Sequence, residues 1–485
     1  MAQDITLTAR EGELSISGRF LGYDGEFYRI DSRYGPLTID AYGVLCDGPA
    51  CPDLLAPRAD FRIVGLPGVG EAILPGLLSA FALARGLSLE FDPVDTGLAA
   101  TLRVPDTGNI LADVLFMAKS PEEARTDLLA GQAELILSSD TEPDFGSRTL
   151  ALDALVPVVA PDNMVPEVST KDLARVLAGE VTNWSEIGGP DMPLVLHGLR
   201  KDDALSSALA QRLGRDVNAV ELHQDLASLG AAVAADPWAI SVTLRAGAGG
   251  TRVLPLTDSC GFPLVPTDGS VKSEDYPLTL PFYLLTPKRR LPLIVREFLD
   301  FLTLPQAQAA IQEAGFIDRQ AERFAMNSDG LRLINAIKGA REKTSLEDLK
   351  ALVGLMDGAD RLSLTFRFQD GSSALESHSL DNLADLGRLI EAGLFKGRRV
   401  YLAGFSDGSG AAAANKALSL ARAETVLGQL KMLISEVSEA DLPRVAGFGE
   451  ALPMACDETA AGRRLNRRVE VWLRPEFTDI QPTEN

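Results

Sequence analysis

The chain has 485 residues, 46% of them hydrophobic and 24% charged, with a formal net charge of −22. That length exceeds one ordinary core and implies about two to four domains. The charge excludes nucleic acid as the principal partner, because a phosphate backbone repels an acidic surface, and it opposes electrostatic adsorption to anionic membranes. No apolar run reaches the ~18 residues of a membrane span. Residues 1–20 lack the basic start and apolar run of a signal peptide.

Residues 1–57 read as a small β-rich module, with apolar and polar residues alternating between Gly and Asp turn signals. Tyr23, Phe27 and Tyr28 are either a binding patch or the packing of a small core. Cys46 and Cys51 stand close enough in CDGPAC for a local disulfide, with free thiols as the alternative. A metal site would need further ligands nearby, and none is local. Cys260 and Cys456 show no partner in the sequence and read as buried single thiols.

After a Pro-containing linker the pattern changes. FRIVGL is a short strand, PGVGEA a Gly-containing turn, and a helix runs from about Ile73 to Arg85. Free backbone N–H groups at such a turn suit an anion, which places Gly68, Val69 and Gly70 among the candidates. Strands alternate with helices to about Asp318, the signature of βαβ units with largely parallel sheets.

LALDALVPVVAPDN and VSTKDLARVLAGEVTNWSEIGG resemble the periplasmic phosphate-binding proteins of ABC importers. DPWAISVTL, YPLTLPFYLL and FLDFLTLPQAQAAIQEAGFI continue the likeness in order, over residues 60–320. The resemblance implies a two-lobe periplasmic binding protein fold holding a small oxyanion, phosphate foremost, and possible delivery to an ABC permease. The candidate contacts are Gly68, Val69, Gly70, Ser138, Ser139, Arg200, Asp202, Ser206 and Ser241. A dehydrated oxyanion needs several N–H and O–H donors and usually an arginine. Three features depart from the family. The first loop carries no hydroxyl residue, KDDALSSA follows Arg200 in place of a Ser-Gly-Thr turn, and Leu280 stands where many relatives have Arg.

Residues 321–358 read as a helical connector containing the basic run Lys338 to Lys343. Residues 359–475 then alternate strands with two amphipathic helices, and residues 476–485 are a tail. This segment resembles the OmpA-like peptidoglycan-binding domain, a βαβαβ-type fold. The motifs are F-x-x-G-S-x-x-L at 368–375, G-F-S-D at 404–407, N-x-x-L-S-x-x-R-A at 415–423, G-F-G-E at 447–450 and G-R-x-x-N-R-R-V-E at 462–470. The resemblance assigns Asp407 to the ammonium and Arg422 to the carboxylate of diaminopimelate in the peptide stem, with Asn415, Leu418 and Arg467 as secondary contacts. Phe405 stands where many members carry His.

Taken together the chain reads as a multidomain α/β and α+β protein of the periplasm, held on peptidoglycan, binding a solute without cofactor, metal or catalysis. No nucleophile–base pair, G-x-S-x-G elbow or metal-ligand spacing among His197, His223 and His378 supports an enzyme. The alternative is a structural envelope scaffold whose lobes have lost or changed their ligand.

Overall fold

The computed structural model describes residues 4–476 apart from 11, 13, 24–25, 53–58, 201–202, 326–331, 333, 335, 338–343, 370–371, 436 and 440. The basic run at 338–343 lies outside the described residues. Two compact units emerge, 1–150 with 282–318, and 151–281 with 319–485. The strands Gly146–Val159 and Thr279–Thr286 carry the chain across the division.

In the first unit, strands Asp4–Ala9, Ser15–Tyr23, Phe27–Ser32, Gly35–Asp40 and Val44–Asp47 form one antiparallel sheet. Period-two alternation puts Ile5, Leu7, Tyr28 and Ile30 on the buried face. Tyr28 is therefore core, with the Tyr23 ring stacked on it at 4.9 Å. Gly35, at φ 93°, turns the hairpin between the third and fourth strands. The Cys46–Cys51 disulfide closes the end of the module. Glu26 seats the module on the rest of its unit by accepting from Arg290 at 2.8 Å and Arg296 at 2.6 Å. The Arg290 guanidinium also lies 3.9 Å from the Phe27 ring centroid.

The remainder of this unit is a mixed sheet. Ala59–Gly65 runs parallel to Ile110–Ala118 and Leu135–Ser138, while Leu98–Arg103 and Ser88–Asp92 add antiparallel strands. The helix Val69–Ala84 buries Ile73, Leu74, Leu77, Leu78 and Phe81 at helical spacing. It begins close against the sheet, for a Cβ at Gly70 would lie 2.2 Å from the Phe116 ring.

In the second unit, residues 151–281 build another mixed sheet. Val195–Leu199 runs parallel to Glu221–His223 and Ala239–Leu244, and the latter pairs antiparallel with residues 155–159. The sequence expectation of largely parallel sheets is corrected here: the crossing strands return antiparallel.

The C-terminal sheet has the order Arg323–Ala325, Asp360–Arg367, Arg468–Pro475, Arg398–Phe405 and Arg444–Gly447. Helices Ser377–Glu391 and Ala412–Leu433 pack on one face over Leu364, Phe366, Leu402, Val469 and Val471. Helix Leu346–Met356 covers the other face, where Ala403, Phe405 and Trp472 point. Each fully buried large side chain contributes roughly 1.5–3 kcal/mol of transfer free energy. Part of the segment read as a connector thus belongs to this domain, as an edge strand and a covering helix.

Residues 258–275 are bound to the C-terminal domain. Arg367, 1% exposed, donates to the carbonyls of Glu274 at 2.6 Å and Leu465 at 3.0 Å, and pairs with the Glu274 carboxylate at 3.1 Å. Arg361 pairs with Asp275 at 2.6 Å. Glu274 sits at φ 52°, a left-handed conformation unusual for a residue with a side chain. Burial opposes ionisation of its carboxyl, but the facing His378 ring and the guanidinium groups of Arg464 and Arg367 outweigh that cost and hold it below the usual range. Cys260 and Cys456 correct a sequence expectation: they are joined to each other, and Cys260 is exposed. Their separation of 196 residues conceals the pair from any local reading.

Candidate functional site

The clearest constellation lies at the end of strand Arg398–Phe405, where the chain turns into helix Ala412–Leu433. Close packing sets the turn. A Cβ at Gly404 would lie 1.9 Å from the Ser419 carbonyl oxygen, so strand and helix meet backbone to backbone only because the residue is glycine. The buried Ser419 hydroxyl accepts from the Gly449 N–H at 2.9 Å and donates to the Lys416 carbonyl at 2.8 Å. Asp407 follows, and its Oδ1 accepts from the Ser409 N–H at 3.0 Å. Its Oδ2 faces Arg467 Nη1 at 3.4 Å.

Arg422 stands in the helix seven positions after Asn415, on the same face. Its guanidinium carbon lies 5.5 Å from the Phe368 ring centroid. Its Nη1 is shielded from solvent and has no hydrogen-bond partner in the structure. Burial lowers the Arg422 pKa from its ordinary value; the charge of Arg467 adds to that and the charge of Asp407 opposes it. The guanidinium remains charged, so the arrangement offers a partly dehydrated cation in want of an acceptor, beside a carboxylate. The helix N-cap, Ala411, provides no side-chain cap, which leaves the first-turn N–H groups open to an anion.

The other candidates have defined roles. Asn415 is 6% exposed, and its amide donates to Glu450 Oε2 at 3.3 Å. Leu418 is 46% exposed, one helical turn before Arg422. Phe368, Glu450 and Asp457 were not singled out from the sequence, though the first two lie inside the quoted motifs; Asp457 Oδ2 accepts from the Gly408 N–H at 2.8 Å. Much of the last motif is structural. Asn466 amide and carbonyl groups bond to residues 454–457, and Arg468 pairs with Glu470 at 2.7 Å with both fully buried.

The anion candidates divide between the units. In the first, the Val69 N–H donates to the Pro67 carbonyl at 2.6 Å and the Gly70 N–H to Leu66 at 3.2 Å, so these two are not open donors as the sequence suggested. Gly68 takes the positive φ of 65° that starts the helix. Ser138 Oγ accepts from the Asp140 N–H at 3.1 Å, and Ser139 is 3% exposed. In the second, Ser241 Oγ donates to the His197 carbonyl at 2.8 Å, which removes it as a donor to a ligand. Asp203 caps helix Ala204–Leu213, accepting from the N–H groups of Leu205 at 2.8 Å and Ser206 at 3.4 Å. A carboxylate of the chain therefore holds donors that an anion at this helix would use. Arg200 is exposed beside it, and Asp202 lies outside the described residues. His197 and His223 stack with Nδ1 2.9 Å from Nε2, a packing pair at the sheet edge.

Residues 94–306 match the PBP superfamily domain, and residues 367–467 match the OmpA family. The chain is 23% identical over 203 residues to the phosphate-binding protein PstS of Borreliella burgdorferi, covering 38% of this chain and 69% of that protein. It is 31% identical over 108 residues to the probable lipoprotein YiaD of Escherichia coli, covering 22% of this chain and 47% of that one. Among solved structures, an ABC-type phosphate transport receptor from Vibrio cholerae aligns at 19% identity over 53% of this chain and 99% of its own, with a TM-score of 0.42. A putative phosphate ABC transporter substrate-binding protein from Clostridium perfringens aligns at 15% identity over 54% and 100%, with a TM-score of 0.44. The chain joins a PBP superfamily domain to an OmpA-family domain.

Proposed function

We propose that this is a binding protein of the bacterial periplasm, held on peptidoglycan by its C-terminal domain and capturing a small solute in its two-lobe domain. One observation carries the attachment: the Arg422 guanidinium has a shielded, unpartnered Nη1 within Coulombic reach of Asp407. A zwitterionic amino-acid head suits that pair, its carboxylate at Arg422 and its ammonium at Asp407. Diaminopimelate in the stem peptide is such a head. Leu418, Asn415 and Arg467 flank it. Free diaminopimelate should displace the protein from purified sacculi in a concentration-dependent way; displacement by lysine alone, with no preference for diaminopimelate, would reject the assignment.

For the solute, the proposal is an oxyanion of the phosphate class, passed to an ABC permease. The PBP domain and the PstS likeness support it. A second reading, a scaffold whose lobes take no oxyanion, is favoured by Asp203 on its helix and by the engaged Ser241 hydroxyl. Titration calorimetry with phosphate, sulfate and molybdate separates the two, since heat with one of them is required by the first reading and absent from the second.

A further inference from the structure

The turn that carries Asp407 is tied to a neighbouring segment. Asp457 Oδ2 accepts from the Gly408 N–H at 2.8 Å, and the contact is close, for a Cβ on Gly408 would lie 2.7 Å from that oxygen. Asp457 is itself fixed on two sides. Its Oδ1 accepts from Asn466 Nδ2 at 2.7 Å, and its carbonyl accepts from Arg463 Nη1 at 2.8 Å.

The residue before it, Cys456, is bonded through sulfur to Cys260, and its N–H donates to Asp258 Oδ2 at 2.6 Å. Asp258 also shapes its own loop, its Oδ1 accepting from the N–H groups of Cys260 at 2.9 Å and Phe262 at 2.8 Å. Residues 258–262 belong to the 151–281 portion and lie in the same compact unit as the C-terminal domain. A continuous path of covalent and hydrogen bonds therefore runs from that loop through Cys456, Asp457 and Gly408 to Asp407.

We infer that Asp457 and the Cys260–Cys456 cross-link behind it are positioning elements for the wall-binding turn, so that affinity for peptidoglycan depends on a loop of the solute-binding domain. The inference rests on the proposed role of Asp407. A charge-assisted hydrogen bond donated by the Gly408 N–H to a fixed carboxylate sets where the Gly408 peptide lies. A cross-link restricts the segment carrying that carboxylate. Binding constellations lose much of their affinity when their support is loosened.

The test uses the full chain in three forms: parent, Asp457→Ala, and the double variant Cys260→Ser with Cys456→Ser. Amide hydrogen exchange over residues 404–411 is read without ligand, and affinity is read with a soluble muropeptide bearing diaminopimelate. Both variants are expected to exchange about tenfold faster in that segment and to bind about five- to tenfold more weakly. Exchange in strand Asp360–Arg367 stays unchanged as the control for folding. Asp457→Asn, which keeps an amide oxygen for Gly408, falls between parent and Asp457→Ala. Unchanged exchange and affinity in both variants overturn the inference. If the parent protein fails to bind the muropeptide, the wall-attachment reading falls, and the exchange result alone still decides whether the path positions the turn.

Discussion

Asp407 takes its ion pair from Arg467, at 3.4 Å, while the nearby Arg422 keeps an Nη1 without a hydrogen-bond partner. The carboxylates of Asp457 and Glu450 at the same turn are engaged by the Gly408 N–H and the Asn415 amide, so the open Nη1 of Arg422 is the cationic donor left for a ligand carboxylate. Replacing Arg422 with Ala is expected to remove about 1.5–3 kcal/mol of binding, roughly ten- to a hundredfold in affinity for sacculi. Thermal melting should show no loss of stability, because the variant discards a dehydrated charge that makes no hydrogen bond through Nη1 within the protein. A large drop in melting temperature would instead mark Arg422 as structural.

Arg367 behaves in the opposite way. It is buried among carbonyls and the carboxylates of Glu274 and Asp275. Arg367→Ala leaves those acceptors unpaired and is expected to destabilise the second unit by about 3–5 kcal/mol. Denaturant unfolding measures it; a change within experimental error would show that the cluster is solvated.

The pH dependence of stability should carry a contribution from Asp153. Burial raises its pKa from 3.8 to about 6, although Ala154 and Ala246 donate backbone hydrogen bonds to it. The folded state holds this proton more tightly than the unfolded state. Its stabilising contribution is therefore complete below the unfolded value and lost as pH rises through about 6. The shift corresponds to about 3 kcal/mol. Glu274 and His378, both with lowered pKa values, act with the opposite sign and lose stability as pH falls. The stability of the parent minus that of Asp153→Asn isolates the first effect. That difference should decline between pH 4 and 6; a flat difference would refute the assignment.

Asp203 gives a test of the solute site. Asp203→Ala should cost about 0.5–2 kcal/mol as a lost cap. Asp203→Asn keeps a capping acceptor but removes a negative charge from the helix terminus. Phosphate affinity by calorimetry is expected to rise in the Asn variant, since like charge no longer opposes the ligand. A fall in affinity would mean that Asp203 itself contacts the bound species.

The C-terminal domain was legible in the sequence because its motifs lie close together and sit at strand ends and helix faces. Asp407, Arg422 and Arg467 gather at one turn as those motifs imply, and Cys46 finds Cys51 because only four residues intervene. Contacts between distant segments were not legible. Arg361 and Asp275 are 86 positions apart, and charged residues are ordinarily read as surface. Cys260 and Cys456 were hidden for the same reason. Asp203 was visible and misjudged: an acidic residue directly before an apolar-periodic helix is a capping signal, yet KDDALSSA was read only as a departure from a family turn. The first-loop glycines were overvalued, since such a turn can satisfy its N–H groups with its own carbonyls, as Val69 and Gly70 do.

The central claim is attachment to the wall through Asp407 and Arg422. The most direct measurement is cosedimentation of the full chain with diaminopimelate-bearing sacculi, comparing the parent with Asp407→Ala at matched folding by circular dichroism. The account predicts that the parent pellets with sacculi and the variant stays in the supernatant. Equal pelleting of both, or no pelleting of the parent, would contradict it.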